Sequence, residues 1–355
     1  KSIQDLKNCN QTFSALRILI VSPTLKGIGG TAQHARDLIK FLRDNGHHVD
    51  TMSSENIPTI PVKKLKNPSF LVSSFFKAKL SKKYDIVHAQ HPIAALAMKN
   101  IPAKKVLTIH GVYSEQVGML HGESTSKLSG RFEKNALEWA DAVTAGSKEA
   151  FEHYHEISKK VVFIPNAIDA ASLPAGTDTR YEKQIIFAGR LSKEKGILTV
   201  LEAAKKLPSD IHVMIVGSGP EEGAVLEAAK NSKNIHFLGY QPKEKTIPLI
   251  RGSDLLIQPS FAEGISATLL EAMVCKTPII ATNVGGNKDL LVNGKTGILI
   301  EPGNSDDLAK EIVNLISDKE QRETLTKSAY VDVQKYEWSS VGKMYLDVYQ
   351  KLLKS

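Results

Sequence analysis

Residues 16–53 read "LRILIVSPTLKGIGGTAQHARDLIKFLRDNGHHVDTMS". The stretch opens on "LRILIVSP" (16–23), a continuous apolar run with β-branched residues, closed by Pro23. A run that is apolar throughout, rather than at alternate positions, is the pattern of a parallel strand buried on both faces. A glycine-containing turn, "TLKGIGGT", follows. "AQHARDLIKFLRDNG" then sets Ala35, Leu38, Ile39 and Leu42 at helical spacing and ends at Gly46, a helix with a glycine stop. "HHVDTMS" resumes a strand. Strand, helix and strand at this spacing make a βαβ unit.

The unit recurs. "YDIVHAQ" (84–90), "KKVLTIHG" (104–111), "ADAVTAGS" (140–147) and "KKVVFIPN" (159–166) are short apolar strands with helical material between them. A polar connector with Pro and Gly, "NAIDAASLPAGTDTRYEK" (166–183), interrupts the pattern. It restarts with the strand "QIIFAGR" (184–190), the helix "GILTVLEAAKKL", the strand "HVMIVGSG" (212–219) and the helix "EEGAVLEAAKNS". "IHFLGY", "LLIQPS" and "PIIATNV" supply three more strands. The expected fold is α/β, with two tandem Rossmann-like domains facing across a cleft. Its expected parts are a tail (1–15), a first domain (16–167), a second domain (168–337) and a C-terminal helix (338–355) packing back on the first domain. In open α/β sheets ligands bind beyond the carboxyl ends of the strands, so the cleft is where chemistry is expected.

Composition narrows the class. The chain has 355 residues, 42% hydrophobic and 24% charged, as expected for a globular protein of two domains. No run of about 18 apolar residues predicts a membrane-spanning helix, and the polar N-terminus lacks the apolar region of a secretory signal. Cys9 and Cys275 make neither a disulfide framework nor a zinc spacing, which fits a reducing cytoplasm. Residues 1–167 hold 23 Lys+Arg against 14 Asp+Glu, a net of +9, while the rest of the chain carries a net of −1. The first half therefore either meets something anionic or uses lysine for solubility. No aromatic-interleaved basic motif points to nucleic acid.

Several short patterns fall at expected strand ends. The glycines of "GIGG" (27–30) suit close approach of a phosphate to a helix N-terminus, although they are not the spaced dinucleotide fingerprint. His110, after the strand "KVLTI", is placed to face the cleft as a hydrogen-bonding or proton-handling group, or as a satisfied structural histidine. His88 and His91 lack a local carboxylate or cysteine, which argues against a metal pair. In "GRLSKEKG" (189–196), Arg190 ends a strand and Lys195 precedes a helix, an arrangement able to hold a diphosphate. In "FAEGISATLLEAM" (261–273), Gly264 keeps Glu263 in a loop, Ser266 is a plausible N-cap and the helix runs about Ala267–Val274. Glu271 has Ala267, Thr268, Val274 and Cys275 as its helical neighbours, none charged. A carboxylate on so apolar a helix must be hydrogen-bonded, and sugar or ribose hydroxyls are suitable partners.

"FAEGISATLLEAM" resembles the E-x7-E signature of the retaining glycosyltransferases of family four, which have the two-domain glycosyltransferase B fold. "GIGG", "HAQHP", "THGVY", "IPNAID", "GRLSKEKG", "VGSGPE", "LGYQP" and "PIIATNVGG" follow the same family order, over roughly residues 16–355. The resemblance implies a hexosyltransferase using a nucleotide-sugar donor, a UDP-sugar favoured over a GDP-sugar, with no further cofactor and no metal. It implies that Arg190, Lys195 and Gly30 hold the diphosphate, and that Glu271, Gly217 and Tyr240 lie at the nucleoside. Glu263, Gly264, Ile265 and Ser266 would hold the donor sugar, with His110 and Glu263 at the reacting centre. "GISAT" departs from family members that carry an aromatic or larger apolar residue followed by Gly, which leaves sugar identity open. The implied acceptor is a glycan, phospholipid or lipid-linked saccharide on the basic first domain. A sugar-nucleotide epimerase or a catalytically silent sugar-nucleotide-binding module are the alternatives.

Residues 62–85, "VKKLKNPSFLVSSFFKAKLSKKYD", surround Leu71, Val72, Phe75, Phe76 and Leu80 with seven lysines. The segment reads either as a surface for an anionic membrane, placing the protein at the inner face of the cell membrane, or as a solvated face over a core helix.

Overall fold

The structure is a computed structural model that describes residues 14–26, 30–60, 62, 66–79, 83–111 and 123–355. Gly27, Ile28 and Gly29 of the glycine turn, and Lys63–Leu65 and Leu80–Lys82 of the basic segment, lie outside the described residues.

Two parallel six-stranded sheets organise the chain. The first contains β1 (Arg17–Val21), β2 (His48–Met52), β3 (Ile86–Ala89), β4 (Lys104–Ile109), β5 (Ala142–Ala145) and β6 (Val161–Phe163), in the order β2-β1-β3-β4-β5-β6. The second contains β7 (Lys183–Ala188), β8 (Ile211–Val216), β9 (Ile235–Phe237), β10 (Leu255–Gln258), β11 (Ile279–Thr282) and β12 (Ile298–Ile300), in the order β12-β11-β10-β7-β8-β9. Every pairing is parallel. Ile18, Leu19, Ile20 and Val21 are all buried, as an uninterrupted apolar run requires when helices cover both faces. Among the described residues β12 is the one strand that the sequence pattern did not announce. It is a three-residue edge strand after a turn, too short to show a period.

The helix Gly30–Asp44 buries Ala35, Leu38, Ile39 and Leu42, the face expected from their spacing. Gly46 takes φ +84°, the left-handed stop that glycine adopts without strain. The chain crosses back at the start of the C-terminal helix, Trp338–Lys354. There Ile168 N–H donates to the Tyr336 carbonyl and Trp338 N–H to the Ile168 carbonyl, at 2.9 and 3.1 Å. Trp338, Val341, Tyr345, Leu346 and Tyr349 of that helix share a core with Ile18, Ile20, Leu38 and Leu42 of the first domain.

The two sheets direct their carboxyl ends toward one another. The domains also touch directly: Asn166 Nδ2 donates to the Ile265 carbonyl at 2.6 Å. Lys40 is paired with Asp169 at 2.7 Å, and the Lys148 amide donates to Asp289 at 2.9 Å.

Candidate active site

A cleft of about 1010 Å³ lies between the domains. Its lining includes every residue singled out above as a site residue: Gly30, His110, Arg190, Lys195, Gly217, Tyr240, Glu263, Gly264, Ile265, Ser266 and Glu271. Residues 30 and 110 come from the first domain and the rest from the second.

On the second-domain wall a hydrogen-bond network joins Lys195, Glu263, Gln258, Ser260 and Ser266. Arg190 follows β7, exposed in the cleft. Lys195 ends a short 3-10 turn, Lys193–Lys195. Its Nζ donates to Glu263 Oε1 at 2.7 Å, so the expected diphosphate cation and the expected sugar carboxylate are paired with one another. The same Oε1 accepts from Gln258 Nε2 at 3.0 Å and from the Ser260 hydroxyl at 2.9 Å. Ser266 hydroxyl donates to Gln258 Oε1 at 2.9 Å and accepts from the Leu269 amide, capping the helix Ala267–Cys275. Gln258 thus ties the loop carboxylate to the helix cap. Neither Gln258 nor Ser260 was singled out from sequence, because each is one polar residue in or beside a buried strand. Gln258 is separated from Glu263 by a turn whose geometry decides the contact.

Glu271 sits on that helix with its side chain 15% exposed and its carboxylate 3.0 Å from Lys243 Nζ. Here the structure adds a charged partner that the local sequence lacked, since Lys243 comes from the helix Lys243–Arg251 rather than from Glu271's own face. Burial raises the Glu271 pKa, against the pull of Lys243. Asp37, on the first-domain helix, also has a pKa raised by burial and feels the Lys243 charge, so carboxylates from both domains share one lysine field.

Gly217 contributes backbone alone. Its φ is +146°, and a Cβ there would sit 1.8 Å from the Gly189 carbonyl oxygen. Only glycine lets the β7 and β8 ends approach so closely. Gly264 is similarly confined, since a Cβ would sit 2.6 Å from the His110 carbonyl oxygen of the facing domain. Ile265 is buried beneath the loop, and Tyr240 stands half exposed at the rim.

On the first-domain wall, His110 follows β4. Asn166 Nδ2 is committed to Ile265, so its Oδ1 faces His110 Nδ1, 3.4 Å away. His110 therefore carries its proton on Nδ1 and leaves the Nε2 lone pair buried and, among the described residues, without a partner. Burial lowers its pKa to about 4, so the ring is neutral at neutral pH. Asn166 went unassigned in the sequence, although "IPNAID" contained it. His88 is a structural histidine: Nδ1 meets the Tyr349 hydroxyl and Nε2 the Thr108 hydroxyl, each at 2.6 Å. His91 accepts from the Ile93 amide at the start of a 3-10 turn.

The sequence profile described as "Glycosyltransferase Family 4" matches residues 28–172, and that described as "Glycosyl transferases group 1" matches residues 177–332. The chain belongs to glycosyltransferase family four. The family-four chain is 26% identical to an uncharacterized glycosyltransferase of Methanocaldococcus jannaschii, over 95% of this chain and 99% of that protein. It is 24% identical to the N-acetyl-alpha-D-glucosaminyl L-malate synthase of Bacillus anthracis, over 92% and 95%. The fold superposes on Anabaena HepE in complex with UDP-glucose with a TM-score of 0.75 at 19% identity, covering 95% of this chain and all of that one. This glycosyltransferase has the glycosyltransferase B fold. Among the described residues no helix is long and apolar enough to cross a membrane.

Proposed function

We propose that this glycosyltransferase is a retaining hexosyltransferase whose donor is a nucleotide diphosphate sugar, a UDP-sugar ahead of a GDP-sugar. The observation that carries this reading is the single cleft in which Arg190, Lys195, Glu263, Glu271 and a neutral His110 converge. The complex of HepE with UDP-glucose, in a chain of the same fold, supports the choice of UDP. In this reading the diphosphate lies at Arg190 and Lys195, the ribose at Glu271 and the hexose at Glu263 and the start of the helix Ala267–Cys275.

The bond from sugar C1 to the diphosphate oxygen breaks, and its electron pair leaves with the diphosphate. Arg190 and Lys195 offset that growing charge without a metal. The acceptor hydroxyl bonds C1 on the face just vacated, and its proton passes to the departing phosphate oxygen. Glu263 Oε1 already accepts from three donors, which makes it a poor nucleophile and favours this same-face route over double displacement. The free His110 Nε2 lone pair suits a hydroxyl of the sugar or acceptor.

The excess charge of residues 1–167 favours an anionic acceptor, such as a phospholipid or lipid-linked saccharide. The malate synthase relative, named for a dicarboxylic acid, is consistent with that charge. On the helix Lys66–Lys79, Val72 and Phe76 lie one turn apart and are 56% and 60% exposed. With the surrounding lysines they suit an anionic membrane at the cytoplasmic face. Failure to sediment with anionic liposomes at low salt would remove the membrane from the proposal.

Released nucleotide, measured across a panel of nucleotide sugars, tests the donor. The anomeric configuration of the product tests the route: an α-linked product from an α-linked donor is expected, and a β-linked one rules the same-face route out.

A further inference from the structure

We propose that His34 is a positioning residue for His110, held in that task by Tyr345 of the C-terminal helix. The proposal rests on the reading of His110 as the residue at the reacting centre. His34 lies on the helix Gly30–Asp44, whose first residues line the cleft. Its ring meets His110 edge to face, with centroids 4.9 Å apart and planes at 75°. On its other side, His34 Nε2 is 3.0 Å from the Tyr345 hydroxyl. Tyr345 is fully buried and His34 nearly so. Trp338 also packs on His34, 5.3 Å between centroids.

His110 is therefore held at two places. Asn166 fixes its tautomer through Nδ1, and the His34 ring fixes the plane in which Nε2 points. Without His34, one long hydrogen bond of 3.4 Å would be left among the described residues to orient the imidazole. An apolar ring could fill the same space, yet the chain places a histidine there and brings a tyrosine from 311 residues away to hydrogen-bond it. Burial lowers the pKa of both histidines, so they pack as neutral rings without repulsion. His88 and His91 are the other titratable groups that feel His110, and both are also held neutral by burial.

The C-terminal helix carries its own control. Tyr349 makes an equally buried hydrogen bond, but to His88 rather than to His34. In the full chain with 15N-labelled histidine, wild-type His110 should give one neutral tautomer protonated at Nδ1. Tyr345→Phe should let the His110 ring turn out of reach of Asn166 and so shift its nitrogens toward a mixture of tautomers, whereas Tyr349→Phe should leave them unchanged. UDP release from UDP-glucose should fall about tenfold in Tyr345→Phe, the scale of one lost hydrogen bond, with the KM for UDP-glucose unchanged. His34→Gln should lose as much, and the double variant little more than His34→Gln alone, because the Tyr345 hydroxyl reaches His110 through His34, while its other partners, Thr108 and Thr144, bond each other and Thr108 bonds His88.

The proposal is overturned if His110 resonates identically in Tyr345→Phe and wild type, or if Tyr349→Phe disturbs it equally. Additive losses in the double variant overturn it too. If wild type releases no UDP, the donor assignment is what fails; the nitrogen spectra need no substrate and still decide the positioning role.

Discussion

On the second-domain wall of the cleft, Glu263 accepts three hydrogen bonds and Glu271 is paired with Lys243. Among the described residues, His110 Nε2 on the first-domain wall is buried with no partner, as are His34 Nδ1 and both ends of the Gln90 amide elsewhere in that domain. Buried polar atoms are almost always satisfied, so orphans of this kind need a reason. On one wall both carboxylates are bound within the protein before any ligand arrives. The other keeps hydrogen-bonding capacity unspent, next to the half of the chain that holds all the excess positive charge. The contrast suits the proposed roles, a donor side that is preformed and an acceptor side that its ligand completes.

The walls should separate most strongly under acid. Unfolded, His34, His88, His91 and His110 take up protons near 6.5; folded, burial holds each of them lower, to about 3 for His88 and about 4 for His91 and His110. The stability they confer is complete above pH 6.5 and is lost as pH falls toward 4, by up to about 1.4 kcal/mol per pH unit for each. Glu271 has the opposite sign. Its raised pKa favours the folded state below the ordinary value of 4.5, and that contribution fades as pH rises. Melting curves between pH 7 and 4 should therefore fall steeply, and replacing the four histidines one at a time should flatten the fall. A flat profile would mean that these four histidines are not held neutral.

Within the second wall, Glu263 and Glu271 should divide sugar from nucleotide. Glu263→Gln should lower kcat about 100-fold and change UDP affinity far less, because the charged contact to the sugar is lost while the amide oxygen can still accept from Lys195. Glu271→Gln should weaken UDP about tenfold and leave kcat at saturation near wild type, a smaller effect because Lys243 still reaches the amide. Equal effects on UDP would erase the division. Smaller still, Asn166→Ala should cost His110 its tautomer and lower kcat with little change in UDP affinity, which calorimetry and turnover together can read. A change in UDP affinity alone would place Asn166 on the donor side instead.

How much was legible in the sequence follows the same divide. Runs such as Ile18–Val21 and Ile185–Phe187 are apolar at every position, so eleven strands could be read and only the short β12 was missed. Glu263, Ser266 and Glu271 lie within nine residues on one loop and helix, where spacing alone constrains geometry. Lys243 escaped notice because its contact with Glu271 is made between helices. Asn166, His34 and Tyr345 escaped because their meaning depends on His110, and residues 34 and 345 touch only after the chain has built a second domain and returned. Spacing in the sequence constrains residues that are neighbours along the chain. It misses contacts assembled from the chain's distant returns.

The most direct test of the central claim is calorimetric titration of UDP and UDP-glucose into the wild type and into the Arg190→Ala/Lys195→Ala double variant, without acceptor. The account predicts that wild type binds both ligands, and that the double variant binds each at least about 100-fold more weakly, the scale of two charged hydrogen bonds. Equal affinity in the two proteins would contradict it, because the diphosphate would then lie somewhere other than between those two cations.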